Sequence, residues 1–325
     1  MTTNIDAAVG VIGVGNMGRH HARVYRELPN TELVGVYDVD TEQAESVAEK
    51  CGTIVRELDE LLDTADVVSI AVPTEYHHEM ATKCIQRGVH TLIEKPFVLS
   101  RGEGEELIEM AEENDVTIQV GHIERFNPAV VALRNIIPDL DIISVTARRL
   151  GPPLDRQMPD SVVKDLMIHD LDILFWLINE QITSMAAFGG KHEYATVDFQ
   201  FEDGSIGSLT ASRVTQQKVR ELEITAQQCQ VVIDYIDQTV EIYRHSLPEY
   251  IESDGEIRYR HESIVERPMV ENTEPLKNEI TSFLSSVRTG DEPVVTAEDG
   301  LQALEYVFDI EQRIADRNDR KKEIK

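Results

Sequence analysis

One short motif near the start of the chain does most to restrict its fold. Val11-Ile12-Gly13-Val14-Gly15-Asn16-Met17-Gly18 places G-x-G-x-x-G between an apolar run, residues 8–14, and the onset of a helical pattern. A strand that turns into a helix on these glycines is the opening of a βαβ unit that holds a dinucleotide. Gly13 permits the tight turn, Gly15 lets backbone approach a pyrophosphate, and Gly18 allows the helix to pack closely on the strand. The helix N-terminus at Asn16, Met17 and Gly18 then offers unpaired N–H groups and a positive dipole end to the phosphates.

The same texture continues through residue 122. Residues 33–38, 67–72, 90–94 and 117–122 are strand-like apolar runs separated by amphipathic stretches. Continuous apolar strands alternating with helices predict a parallel sheet covered on both faces. Asp38 ends the second strand, 20 residues after Gly18, where a carboxylate accepts hydrogen bonds from the adenosine ribose. Val39 and Asp40 follow where an NADP enzyme often carries an arginine, so NAD is expected over NADP.

Beyond Phe126 the pattern changes. A strand is expected at 139–150, a long helix at 162–178, and alternating strands at 195–201, 206–213, 221–226 and 230–235. Glu202-Asp203-Gly204-Ser205 joins two of them as a hairpin. Helices close the chain at 275–288, opened by Pro275 and ended by Gly290, and at 297–316. The expected fold class is α/β. Residues 1–122 form a Rossmann domain with a doubly wound parallel sheet. Residues 123–325 form a substrate-binding and oligomerisation α+β domain with a mostly antiparallel open sheet, its last helices packing back on the first domain.

With 325 residues, two cores are the natural division. Sixty acids against 31 bases give a formal charge of −29, which makes nucleic acid and anionic membrane poor partners. The acids are spread along the chain, and the bases are 21 Arg against 10 Lys. This is the balance of proteins from a high-salt cytoplasm, with an acidic mesophilic enzyme as the alternative. Cys51, Cys84 and Cys229 show neither zinc-ligand nor disulfide spacing, so no metal is expected and the thiols should be reduced and buried. The N-terminal apolar run is too short to span a bilayer and lacks the basic flank of a signal peptide, which places the chain in the cytoplasm.

Three further segments carry a resemblance. Ala71-Val72-Pro73-Thr74-Glu75-Tyr76-His77 and Glu94-Lys95-Pro96 each close a strand, and Thr296-Ala297-Glu298-Asp299-Gly300-Leu301 opens the last helix. With the glycine motif they resemble the Gfo/Idh/MocA family of oxidoreductases over nearly the whole chain. The resemblance implies a cofactor pocket that includes Val72, Pro73, Thr74, His77, Glu94 and Lys95, with His77 in a structural role, capping or lining it, or in a chemical one. At the carboxyl end of a strand, the Lys95 ammonium would hydrogen-bond the alcohol oxygen that becomes a carbonyl. Pro96 fixes the chain after it and tolerates the cis form.

In the second domain Asp165, His169 and Asp172 fall at i, i+4 and i+7, so they share a helical face. An imidazole one turn from a carboxylate makes a general base, because the carboxylate favours the imidazolium that forms. The family carries Asp-x-x-x-His at this place, so the resemblance gives catalytic roles to Asp165 and His169 as well as Lys95, and leaves Asp172 as a helix or domain contact. Ser161-Val162-Val163-Lys164 departs from the family's glycine-rich stretch. The run from Gly121 to Pro128, with Asp165 to Asp170, resembles the branch that oxidises C3 of UDP-N-acetylglucosamine. Glu124, Arg125 and Asn127 would then contact the sugar or its diphosphate, and Arg148, Arg149 and Arg156 would add charge or pair with carboxylates. Trp176 is expected in the core. The implied reaction is NAD-dependent oxidation of a secondary hydroxyl on a sugar or nucleotide sugar. A free aldose or inositol is the alternative substrate, and a non-catalytic NAD-binding sensor the alternative of another class. A homodimer or homotetramer is expected.

Overall fold

The computed structural model describes residues 7–153, 160–178, 180–190, 193–245, 249–253, 256–260 and 262–323. The chain divides into two compact units, one of Met1–Phe126 with Glu274–Glu305, the other of Asn127–Thr273 with Tyr306–Lys325. The first unit thus includes residues 274–305 as well as the N-terminal stretch.

The first unit begins with β1 (Ala7–Ile12), α1 (Gly18–Glu27), β2 (Thr31–Tyr37), α2 (Thr41–Cys51), α3 (Leu58–Leu62) and β3 (Val67–Ile70), followed by α4 (His77–Ile85), β4 (His90–Glu94), α5 (Arg101–Glu113) and β5 (Ile118–Gly121). The five strands are parallel, in the order β2-β1-β3-β4-β5. This is the Rossmann arrangement, and β3 and β5 are buried at every position. Asp40 caps α2 by accepting from the Gln43 N–H, and Gly52 ends that helix in the left-handed region.

In the second unit the order is α6 (Pro128–Ile136), β6 (Ile142–Leu150), a π-helical turn (Val163–Met167), α7 (Ile168–Leu177), then β7 (Ile182–Gly190), β8 (Tyr194–Phe201), β9 (Ile206–Ser212), β10 (Val219–Ala226), β11 (Gln230–Asp234) and β12 (Thr239–His245), with β13 (Glu249–Ser253), β14 (Glu256–Arg260) and β15 (Ser263–Glu266) last. Eight strands form one sheet, β15-β12-β11-β10-β6-β9-β8-β7, and β13 pairs with β14. Only β6 and β9 run parallel within that sheet. The expected hairpin joins β8 to β9, with Gly204 at φ 88° and the Ser205 N–H donating to Asp203. Alternation in β8 buries Ala195, Val197, Phe199 and Phe201 on one face. The long helix expected at 162–178 is instead a π turn followed by α7.

The chain returns to the first unit with α8 (Pro275–Thr289) and the first turns of α9 (Ala297–Glu323). Pro275 stands at the start of α8 and Gly290 ends it at φ 72°, as expected. Leu276, Ile280 and Phe283 are buried with Val24, Tyr25 and Leu92 in one cluster, each such side chain contributing about 1.5–3 kcal/mol. Thr296 and Asp299 cap each other's backbone N–H groups at the start of α9. A Cβ on Gly300 would lie 2.6 Å from Val120 Cγ2, so the last helix reaches β5 only through glycine.

Candidate functional site

The glycine motif sits at the carboxyl end of β1. Gly13 has φ 83°, and a Cβ there would come within 2.7 Å of Val72 Cγ1, so the turn requires glycine on two counts. A Cβ on Gly18 would stand 1.8 Å from the Gly13 carbonyl oxygen. Gly15 differs from both, because nothing lies within 4 Å of its would-be Cβ. Protein packing does not demand glycine at that position, whereas close approach of a bound pyrophosphate does. The N-terminus of α1 has no side-chain cap and no acid in its first turn, although the chain carries 60 acids. The positive end of its dipole thus faces the loop with no acid in that first turn.

Asp38 follows β2, and its carboxylate accepts from the Val14 N–H at 2.7 Å and the Asp40 N–H at 2.9 Å. It therefore braces the glycine loop. Pro73 and Thr74 extend from the end of β3, with Pro73 exposed and Val72 and Thr74 half-buried. His77 is 1% exposed. Its Nδ1 lies 2.9 Å from the Pro96 carbonyl oxygen and its Nε2 2.9 Å from that of Val72, so the ring joins the loops after β3 and β4. Burial pushes His77 below the usual histidine range, against the pull of those carbonyls and of Glu94. A neutral ring has one N–H, so one end donates and the other only touches its carbonyl. His77 is thus held between the two loops by backbone on both sides. Lys95 is half-buried and the Lys95–Pro96 peptide is cis.

Glu94 is 9% exposed and receives a hydrogen bond from His21 Nε2 at 2.9 Å. Burial raises its proton affinity, but the bond from His21 and the charges of His21, Lys95 and His77 outweigh it and hold the carboxyl below its usual range. His21 was not anticipated from the sequence.

In the second unit, Asp165 lies in the π turn and His169 in the first turn of α7. π-helical turns interrupt helices mostly at functional sites. Arg213, just after β9, donates to Asp165 Oδ2 at 2.6 Å and to the Asp160 carbonyl at 2.7 Å, and is itself 8% exposed. Arg213 thus fixes the carboxylate, a role the sequence did not reveal. Asp172 is 2% exposed and belongs to the interior.

The nucleotide-sugar contacts expected from sequence divide. Glu124 is half-buried and stays a candidate. Arg125 is 4% exposed and donates to Asp299 Oδ2 at 2.8 Å and to the Val294 carbonyl, tying β5's exit to the start of α9. Asn127 is also buried, capping α6 through the Ala129 N–H and donating to the Tyr235 carbonyl. Both are thus engaged within the protein. Arg149 forms a buried two-bond pair with Asp170, both at 2.9 Å, and Arg148 pairs with Glu221. Arg156 lies outside the described residues. Trp176, expected in the core, is half-buried under the Arg134 guanidinium, 4.5 Å from the ring centroid. Among the described residues no cluster of metal-ligating side chains occurs.

Comparison with known proteins gives the class. Residues 7–122 match the oxidoreductase family, NAD-binding Rossmann fold, and residues 143–232 match the Gfo/Idh/MocA C-terminal domain. The chain is 36% identical over 249 residues to UDP-N-acetylglucosamine 3-dehydrogenase of Acidithiobacillus ferrooxidans, covering 74% of this chain and 77% of the relative. It is 26% identical over 312 residues to inositol 2-dehydrogenase of Rhizobium meliloti, covering 91% and 93%. The solved structure of UDP-N-acetylglucosamine 3-dehydrogenase GnnA from Acidithiobacillus ferrooxidans matches with a TM-score of 0.86 at 31% identity, over 95% of this chain and 97% of that one. The chain belongs to the Gfo/Idh/MocA family of NAD-binding oxidoreductases.

Proposed function

We propose that this oxidoreductase converts a secondary hydroxyl of a nucleotide sugar to a ketone, at C3 of a UDP-N-acetylhexosamine such as UDP-N-acetylglucosamine. The observation that carries this reading is the 36% identity to the Acidithiobacillus enzyme over 74% of the chain. NAD⁺, when bound, supplies the hydride acceptor. His169 removes the hydroxyl proton, Asp165 stabilises the imidazolium, and Lys95 hydrogen-bonds the oxygen as it becomes a carbonyl. Arg213 keeps Asp165 in place during that step. Asp38 selects NAD⁺ by accepting from the ribose hydroxyls and repelling a 2′-phosphate. The match to inositol 2-dehydrogenase over 91% of the chain favours a cyclitol as the second reading. A non-catalytic sensor has less support, since it needs the glycines and Asp38 but not Lys95, Asp165 and His169.

A screen of UDP-sugars, free aldoses and inositols for NADH formation tests the reading. UDP-N-acetylglucosamine should give the highest kcat/KM, NAD⁺ should bind roughly tenfold or more tightly than NADP⁺, and Asp38→Ala should narrow that gap. Turnover of inositol alone would move the substrate to the second reading.

We also propose a homo-oligomer working in a salt-rich cytoplasm. Phe188, Tyr194, Ile206 and Tyr243 are each 38% or more exposed on one face of the eight-stranded sheet, a surface that suits self-association. The three cysteines are free and buried, in keeping with a reducing compartment. At −29 the folded chain repels itself, and raising salt shortens the screening length from about 10 Å at 0.1 M to about 3 Å at 1 M. The melting temperature should therefore climb between about 0.1 and 3 M KCl, and a flat or falling curve would leave the acids as ordinary surface decoration.

A further inference from the structure

A buried polar chain runs behind Lys95. His21 and Tyr25 project from the buried face of α1, Ser69 from β3 and Glu94 from the end of β4. His21, Tyr25 and Ser69 have no exposed surface. The Tyr25 hydroxyl lies 2.8 Å from Ser69 Oγ, Ser69 Oγ 2.9 Å from His21 Nδ1, and His21 Nε2 2.9 Å from Glu94 Oε1. The second carboxylate oxygen accepts from the Lys95 backbone N–H at 3.3 Å.

The hydrogen-bond inventory gives this chain a direction. Tyr25 donates to Ser69, Ser69 to Nδ1 of a neutral His21, and the Nε2–H of His21 to the Glu94 carboxylate, so every buried hydrogen has an acceptor. In the reverse direction the Tyr25 hydroxyl hydrogen would need an acceptor other than Ser69 Oγ. Three elements thus converge to hold one carboxylate ionised beside Lys95. The titratable side chains acting on Glu94 are His21 from α1, Lys95 itself and His77 from α4. On β5, a Cβ added to Gly121 would stand 3.3 Å from Glu94 Oε2. Buried polar chains cost desolvation that an apolar core avoids, so this one calls for a role beyond packing.

We propose that Glu94 is a positioning residue, held by the Tyr25–Ser69–His21 chain, which fixes the Lys95 peptide and sets a permanent negative charge against the Lys95 side chain. The inference rests on the reading of Lys95 as the amine that meets substrate. Its consequence is a Lys95 side chain held in place to donate to the reacting oxygen.

Competitive acetylation of the full-length protein across pH, read on the Lys95 peptide by mass spectrometry, tests it without a substrate. Glu94→Gln keeps the shape and the acceptor for His21 but removes the charge, and should lower the midpoint of Lys95 labelling by about one pH unit. Glu94→Asp restores the charge and should restore most of the midpoint. An unmoved midpoint in Glu94→Gln overturns the proposal. Histidine ¹⁵N spectra of the wild type at about pH 8 need no variant. The Nε2–H tautomer is expected for His21, and the Nδ1–H form would overturn the chain even if Glu94→Gln failed to fold. In turnover, Glu94→Gln should lower kcat about tenfold with KM nearly unchanged, the mark of an interaction made in the transition state. If Lys95→Ala kept full activity while labelling shifted as expected, the catalytic reading of Lys95 would fall and the positioning of its side chain by Glu94 would stand.

Discussion

Lys95→Ala and His169→Ala are each expected to lower kcat by roughly 10²–10⁴-fold, the range for a lost acid–base group, with NAD⁺ affinity nearly intact. The separation follows from where the cofactor contacts sit. Gly13, Gly15 and Gly18 shape the loop, Asp38 braces it through Val14, and none of these contacts involves Lys95 or His169. If both residues act on the same alcohol, the double variant should lose much less than the product of the single losses, because residues that act as a unit are not additive. Isothermal titration with NAD⁺ beside steady-state kinetics checks both parts. Near-normal turnover in either variant removes that residue from the mechanism and favours the sensor reading.

The second large effect is on stability. Arg149 and Asp170 are 4% and 2% exposed and joined by two hydrogen bonds, so truncating either leaves a buried charge without its partner. Arg149→Ala or Asp170→Ala should cost about 3–5 kcal/mol. The double change Arg149→Met with Asp170→Leu should recover most of that loss, since an apolar pair of similar volume escapes the desolvation penalty. Denaturant unfolding of the three variants measures it. Equal losses in the single and double variants would show that the pair's hydrogen-bonding geometry, rather than its charge, holds β6 to α7.

The parallel strands were legible because burial on both faces writes them as uninterrupted apolar runs. Each was placed within two residues of its observed limits. The strands missed include β7 and β15, which are the two edges of the eight-stranded sheet. β15 is exposed at every position and β7 carries mostly small residues with one buried side chain, so neither writes an alternation. At the site, the glycines announced themselves through spacing that belongs to their chemistry, and Lys95 through the family resemblance of Glu94-Lys95-Pro96. Arg213 did not, because it meets Asp165 across 48 residues and a lone arginine after a strand carries no local sign of its partner. The protein contacts of Arg125 and Asn127 were hidden for the same reason. Their partners Asp299 and Tyr235 lie far along the chain, and a buried arginine or a helix cap looks, in sequence, like a polar residue waiting for a ligand.

The nucleotide unit is assembled from both ends of the sequence, with Leu276, Ile280 and Phe283 completing a core begun by Val9, Val11 and Tyr25. During synthesis the ribosome delivers the whole intervening unit before those side chains emerge. Until then the parallel sheet has one face of its interior open to water. The first unit to be translated is therefore the last to be closed, and its glycine loop gains a finished support only once residues 274–305 have joined it.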